Sequence, residues 1–326
     1  MNFTFSEEQL AIAEMANSLF SDTCTDQYLR DYDEAGQGTM SDLWSKSVET
    51  GLHGVIIPEE NGGIALGMAE LSLVLQAQGG ALAQVPLWRH QLAASVAAKF
   101  GGNELTTIIE TAAEGNNLLT LAFNLVDTTS GTGVSAEKGA SGLKLPCSIN
   151  DTTLWVVVDS KANGVSLVSG QMTHGEEVAD VHLNDVFIAG TFTLNGDVNS
   201  WLIPRIFACL ASLQLGVSEV QIAKTVEYIS ERQQFGRAIG TFQAVQMTMA
   251  DTKIALEALR SNLWQLCYRR DNGLACEHEA YATAWHATDA GHKIGHAAQH
   301  VHGGFGVDVS YIIFQYLYWS RAISLN

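Results

Sequence analysis

The chain has 326 residues, of which 47% are apolar and 16% charged. That is enough apolar material for two or three domains' worth of core, and it excludes disorder as the dominant state. With 35 acidic against 17 basic side chains and a net charge of -18, the chain lacks the cationic surface of a phosphate-backbone binder, which excludes nucleic acid as a partner. A single local basic group can still receive one phosphate-bearing ligand. The prolines are Pro58, Pro86, Pro146 and Pro204. The Pro-free tail that follows is rich in Ala, Leu and Gln and predicts helices.

The N-terminal MNFTFSEEQLAIAEMA has neither a basic n-region nor an apolar h-region, so no secretory signal is expected. No run of about 18 uncharged apolar residues occurs, and no membrane span is expected. Ser6 with Gln9 reads as a capping box, and Leu10, Ile12, Ala13, Met15, Ala16 and Leu19 continue it as an amphipathic helix. A second helix is predicted over about 42–50, stopped by Gly51, and two more near 67–79 and 86–101. Between them runs the loop His53-Gly54-Val55-Ile56-Ile57-Pro58-Glu59-Glu60-Asn61-Gly62-Gly63.

The pattern then changes to short apolar runs at Leu118–Phe123, Thr153–Val158, Val165–Val168 and Val181–Ile188, separated by Gly, Asn, Asp and Ser. These predict a small sheet domain, with a loop or hairpin over Thr128–Gly142. From about Ser200 the helical period returns through Ile206, Cys209, Leu210, Leu213, Val217 and Val220. A long helix over about 242–271 carries Val245, Met249, Thr252, Leu256, Leu259, Leu263 and Leu266 at alternating spacings of four and three, the seam of a bundle. Gly273 stops it, and a further helix is predicted over about 276–301. The fold class is therefore α+β, mainly α: an N-terminal helical domain over 1–115, a central small β-barrel or sheet domain over 116–196, and a C-terminal antiparallel helix bundle over 197–326. The cysteines Cys24, Cys147, Cys209, Cys267 and Cys276 form no C-x-x-C pair and are odd in number. They read as free buried thiols in a reducing cytoplasm.

Three features could carry chemistry. Arg232-Gln233-Gln234-Phe235-Gly236 places an arginine at a helix end before a turn; the guanidinium fork suits a pyrophosphate, although a helix-terminal arginine is more often simply solvated. His302-Gly303-Gly304-Phe305-Gly306 would admit a ligand close to its backbone, and is otherwise a helix cap. It follows a helix, so it is not a dinucleotide fingerprint. His292, His296 and His300 share one helix face, but H-E-x-x-H is absent and no metal site is assigned. Glu219, Glu227, Glu231, Asp251 and Glu257 sit where a solvated helix face would put them.

Taken together, these motifs resemble the acyl-CoA dehydrogenase family. Phe5-Ser6-Glu7-Glu8-Gln9, Leu43-Trp44, Gly51-Leu52-His53-Gly54, Pro58-Glu59-Glu60-Asn61-Gly62-Gly63 and Gly67-Met68-Ala69-Glu70 come in the family's order, followed by R-Q-Q-F-G, Thr241-Phe242-Gln243 and H-G-G-F-G. The resemblance covers nearly the whole chain and is weakest over 116–196. It implies α,β-dehydrogenation of an acyl-CoA thioester: a glutamate removes the α-proton, FAD accepts the β-hydride, and an electron-transfer flavoprotein takes the electrons. In the family's homo-oligomers one subunit's β-domain holds the flavin and the neighbour's C-terminal bundle holds the adenosine diphosphate end. Matched to that pattern, Arg232, Gln234 and Phe235 would meet the FAD diphosphate and adjoining groups, Gln243 would make a polar cofactor contact, and Gly303 and Gly304 would let the backbone approach. His300 stands where the family often has glutamine and can still donate a hydrogen bond.

The chain departs from the family where the flavin and the reacting carbon would lie. The T-E-P-x-x-G-S-D segment is replaced by Phe123-Asn124-Leu125-Val126-Asp127-Thr128-Thr129-Ser130-Gly131, and the W-x-T contact is missing, Leu154-Trp155-Val156 being strand. The common glutamate comes about twenty residues after H-G-G-x-G, but the sequence stops at Asn326 with no acid after Asp308. The alternative base position falls near Arg205, Ile206 and Phe207. No catalytic residue is assigned, since a missing general base costs typically about 10²–10⁴-fold. This pattern resembles the short, base-lacking subunit of a heteromeric (α₂β₂) bacterial acyl-CoA dehydrogenase, which pairs with a catalytic subunit for bulky acyl-CoA such as steroid side chains. On that resemblance FAD would be shared with the partner. The alternatives are a self-sufficient flavin enzyme with an unrecognised base, such as Asp308, and a non-enzymatic scaffold.

Overall fold

The computed structural model describes residues 4–36, 38–122, 126–127, 133–137, 142–149, 152–184, 186 and 189–325. The elements in chain order are α1 (Glu7–Thr23), α2 (Asp26–Glu34), α3 (Ser41–Glu49), α4 (Met68–Gly80), α5 (Leu87–Phe100), α6 (Thr106–Ala113), β1 (Leu119–Leu121), β2 (Val126–Asp127), β3 (Gly133–Glu137), β4 (Gly142–Ile149), β5 (Thr152–Asp159), β6 (Val165–Gln171), β7 (Glu177–Leu183), β8 (Thr193–Leu194), α7 (Val198–Glu231), β9 (Gln233–Gln234), β10 (Arg237–Ala238), α8 (Gln243–Asp271), α9 (Glu277–His302) and α10 (Ile313–Leu325). The fold is mainly helical, with helices first, sheets in the middle and helices last. The chain forms two compact units, one of Met1–Gln37, Met68–Ala83 and Phe207–Asn326, the other of Gly38–Gly67 and Gln84–Ile206.

In the first unit α1 opens on the expected capping box: Gln9 N–H donates to Ser6 Oγ at 3.2 Å, and Ser6 N–H donates to Gln9 Oε1 at 3.0 Å. The α8 seam is buried from Thr252 through Ala255, Leu256, Leu259, Leu263 and Leu266, whereas Val245 and Met249 in its first turns are half-buried. α9 packs along α8 after a short connection and α10 packs along α9, as an antiparallel bundle requires. α7 is buried on every side from Ala208 to Ser218, more than the single stripe expected of it. Small residues make this possible. A Cβ on Gly216 would lie 1.9 Å from the Gln76 carbonyl oxygen, and one on Gly79 would lie 2.2 Å from the Leu213 carbonyl oxygen, so the α4 and α7 backbones meet directly. Gln214 inside this helix is paired, its Nε2 donating to Ser218 Oγ at 2.8 Å and to Ser320 Oγ at 3.0 Å, whereas the buried Gln221 amide has no hydrogen-bond partner among the described residues. α7 is long and apolar enough to cross a membrane, unlike any stretch expected from the sequence, but 72% of its apolar window is buried within the protein.

In the second unit β1 and β2 pair β4 in parallel, and β4–β5 and β5–β8 are antiparallel; β3, β7 and β6 form a separate antiparallel sheet. Val156 and Val158 alternate on β5, Val181 and Leu183 on β7, and the two pairs share one buried cluster with Ala122. The sheets therefore pack face to face, through the period of two that strands impose. The expected loop over 128–142 lies mostly outside the described residues. Its described parts, β3 and the first residue of β4, are strand, with β3 pairing β7 and β4 pairing β1, β2 and β5, so the expected loop or hairpin is not a β3–β4 hairpin. The 123–131 stretch that replaces the family's flavin-lining segment also lies outside them, apart from β2.

Candidate functional site

The R-Q-Q-F-G segment leaves α7 directly into a hairpin. Arg232 N–H donates to the Tyr228 carbonyl at 2.8 Å, continuing the helical ladder by one residue, while its own carbonyl accepts from Ile239 N–H at 2.8 Å. β9 and β10 pair with Gln234 opposite Arg237, and Phe235 and Gly236 form the two-residue turn with φ of 53° and 79°. Positive φ at both central residues is the geometry that matches strand twist in such hairpins. Phe235 is 94% exposed, and its ring meets Phe242 edge-on at 6.3 Å. Arg232, Gln234 and Arg237 are all exposed. The Arg237 guanidinium lies 4.1 Å from the Phe242 ring centre, adding a second cation where the sequence reading singled out only Arg232.

Gln243 begins α8, exposed, with Phe242 at the cap and no side chain capping the helix. The hairpin and the start of α8 are thus one surface, stitched by Phe235, Phe242 and Arg237. The glycine turn forms the other grouping. Gly303 caps α9 with φ 62° and ψ -131°, a combination that only glycine adopts without strain. A Cβ on Gly303 or Gly304 would meet nothing within 4 Å, so this backbone faces open space. The Arg232 guanidinium sits 5.9 Å from the Phe305 ring centre, which joins the turn to the end of α7. His300 is exposed on the last turn of α9, and its backbone carbonyl accepts a hydrogen bond from Gly303 N–H, which ties it to the glycine turn.

Several neighbours were not legible as site residues. His302 is buried and stacked on Tyr228 at 4.2 Å, with Nε2 3.3 Å from Thr225 Oγ1; burial pushes its imidazole down to about 4. His292 and His296 are exposed with ring centres 4.5 Å apart. Among the described residues no group of three or more His, Cys, Asp or Glu is arranged to hold a metal ion. Glu219, expected on a solvated face, is instead ion-paired with Arg260 and accepts a hydrogen bond from Gln76.

The positions where a base is expected are otherwise engaged. Arg205 donates from Nη1 to the Trp201 carbonyl at 2.8 Å and lies over the Trp201 ring at 3.8 Å. Ile206 is buried, and Phe207 meets Tyr281 edge-on at 5.6 Å. Asp308 is exposed, and the Ser310 hydroxyl, then the Ser310 N–H, hold its carboxyl below the usual range, which weakens it as a base. Trp155 lies in β5, and its Nε1 donates to Asn199 Oδ1 at 2.9 Å.

The exposed donors fit a diphosphate. Arg232 supplies a planar fork of N–H groups, and the open glycine backbone permits close approach without a side chain between. Residues 6–108 match the family described as Acyl-CoA dehydrogenase, N-terminal domain, and residues 207–325 match Acyl-CoA dehydrogenase, C-terminal domain. The acyl-CoA dehydrogenase FadE27 of Mycobacterium tuberculosis is 31% identical over 344 residues, spanning 97% of this chain and 92% of that protein. Among solved structures, a chain of the ChsE4-ChsE5 complex from Mycobacterium tuberculosis superposes with a TM-score of 0.91 at 28% identity, covering 100% of this chain and 94% of that one. A variant of the Tcur3481-Tcur3483 steroid ACAD gives 0.87 at 31% identity, covering 98% and 93%. The chain belongs to the acyl-CoA dehydrogenase family, and that membership implies FAD.

Proposed function

We propose that this chain is one subunit of a heteromeric acyl-CoA dehydrogenase, contributing the adenosine diphosphate half of an FAD site whose flavin pocket and catalytic base come from a partner subunit. The reaction is α,β-dehydrogenation of an acyl-CoA thioester with a bulky acyl group such as a steroid side chain. An electron-transfer flavoprotein receives the electrons. FAD, when bound, supplies the hydride acceptor. Arg232 would pair with the pyrophosphate, Gly303 and Gly304 would bring backbone to it, and Gln234, Phe235, Gln243 and His300 would border the rest of the group.

One observation carries this reading. Arg232 and the Gly303–Gly304 backbone stand open and exposed, whereas the candidate base positions hold a tied arginine, a buried isoleucine and a packed phenylalanine. A chain built this way can bind half a cofactor but cannot take a proton at those positions. The resemblance to the two-component ChsE4-ChsE5 and Tcur3481-Tcur3483 assemblies supports the heteromer. A cytoplasmic location fits the buried thiols of Cys24, Cys209, Cys267 and Cys276, none of these four being in a disulfide.

The test is to purify the chain alone and after co-expression with candidate catalytic subunits, and to measure bound FAD and acyl-CoA oxidation. The complex is expected to carry FAD and turn over, and the lone chain to do neither. Arg232→Ala in the complex should weaken FAD binding by about 1.5–3 kcal/mol, the range for a charged hydrogen bond. A lone chain with stoichiometric FAD and full turnover would overturn the proposal.

A further inference from the structure

Arg232 and Gly303 sit at the ends of different helices, yet a closed circuit of contacts joins them. The Tyr228 ring stacks on His302 with centres 4.2 Å apart and planes 25° apart. His302 meets Tyr311 at 5.4 Å, and Tyr311 meets Phe305 at 6.2 Å. The Arg232 guanidinium lies 5.9 Å from Phe305, and Arg232 N–H returns to the Tyr228 carbonyl at 2.8 Å. The circuit therefore begins and ends on the last turn of α7 and grips the glycine turn on both sides, at His302 before it and Phe305 after it.

His302 is the most buried member, at 2% exposure. The Thr225 hydroxyl donates its own proton to the Gln221 carbonyl at 2.7 Å, so its oxygen is left to accept from His302 Nε2 at 3.3 Å. That assigns the proton to Nε2. Nδ1 is buried and has no hydrogen-bond partner among the described residues. Burial holds the imidazole near 4, so it is neutral at ordinary pH and stacks as an uncharged ring.

We infer that His302 is a positioning residue for the cofactor site, holding the Arg232 guanidinium and the Gly303–Gly304 turn in one fixed relation so that the diphosphate cradle is already formed in this chain. This rests on the reading above that the cradle receives FAD. An exposed arginine and a glycine turn are otherwise the two most freely moving parts of such a site, and ordering them at the moment of binding would cost affinity. A neutral, buried ring stacked on Tyr228 and in contact with Tyr311 removes that cost before the ligand arrives.

The experiment uses the full-length chain with ADP as probe and the co-purified complex with FAD, in His302→Gln, which keeps an N–H donor but loses the ring, and His302→Phe, which keeps the ring but loses the donor. Both retain bulk in the core. His302→Gln is expected to speed amide hydrogen exchange at 232–238 and at 303–309 together, and to raise the Kd for FAD about ten-fold. His302→Phe is expected to restore most of both, because the ring contacts form the link. The further loss from Arg232→Ala should be at least about three-fold smaller in the His302→Gln background than in the native one, since coupled residues are not additive. Faster exchange confined to 303–309, or effects of the two substitutions that simply multiply, would overturn the inference. Arg232→Ala leaving both ADP and FAD binding unchanged, while His302→Gln still loosens both segments, would instead refute the cofactor reading and leave the contact circuit standing.

Discussion

Replacing Glu176 by glutamine tests the electrostatics of the second unit. Arg89, on α5, is 1% exposed, and its Nη2 lies 3.5 Å from Glu176 Oε1. His174 Nε2 lies 3.3 Å from Glu176 Oε2, in the turn between β6 and β7. Burial alone would raise the Glu176 carboxyl; the Arg89 charge, helped by His174, overrides it and holds the group at about 2 against an ordinary 4.5. At about 1.4 kcal/mol for each pH unit, the ionised form contributes on the order of 3 kcal/mol. Glutamine keeps the shape but removes the Glu176 charge beside the buried guanidinium, so Glu176→Gln should cost about 3 kcal/mol near neutral pH. Because the folded value is depressed, this contribution is fully present above the unfolded value of 4.5 and disappears as pH falls toward about 2. Urea unfolding by circular dichroism, native against variant, should show a constant gap from about pH 7 to 5 that narrows below. A gap under about 1 kcal/mol at neutral pH, or one that does not narrow in acid, would refute the reasoning. The double change of Arg89 and Glu176 to methionine should recover most of the loss, since it removes both charges.

Three further outcomes are expected. Leu259 is fully buried in the α8 seam, so Leu259→Ala should destabilise the chain by about 2–5 kcal/mol in the same unfolding measurement. A Cβ on Gly304 has open space and Gly304 lacks a positive φ; Gly304→Ala should leave the melting temperature unchanged while weakening FAD binding to the proposed complex by about ten-fold, read by flavin fluorescence. Asp308 is exposed and held by Ser310, so Asp308→Asn should leave the turnover of the complex within about two-fold of native. A loss of roughly a hundred-fold or more would identify it as the missing base.

The parts of the fold that were legible in the sequence were those with a strong period. The α8 seam announces which face is buried, because burial and periodicity are one constraint; the capping box marks where α1 starts, and β5 reads as a short apolar run bounded by polar residues. Elements without that signal were missed. α2 buries only Leu29, so its sequence reads as polar linker. α10 mixes Ile313, Tyr316, Trp319 and Ile323 with apolar residues on its other side, which blurs the helical stripe. β4 carries Pro146, and a proline argues against a strand paired on both sides. At the candidate site, Arg232 and the glycine turn were legible because each motif is local. The circuit through His302 was not, because Tyr228, Phe305 and Tyr311 come from separate elements and only packing brings their rings together.

The hairpin after α7 is not what selection for this chain's own stability would produce. A two-residue turn with positive φ at both positions favours Asn-Gly, yet the first position holds Phe235 with φ 53° and 94% of its surface in water. A left-handed non-glycine residue costs about 1–2 kcal/mol, and the exposed ring returns none of that through burial. Two cations, Arg232 and Arg237, share the same short hairpin and face solvent, where like charges repel. The left-handed, exposed Phe235 is unfavourable in the isolated chain, whereas the two guanidinium groups lie over the Phe305 and Phe242 rings and stay exposed to an anion. A scaffold that had merely kept the fold would gain by losing Phe235. The proposed shared site accounts for both with one arrangement: the diphosphate against Arg232, and the adjoining part of the cofactor against Phe235.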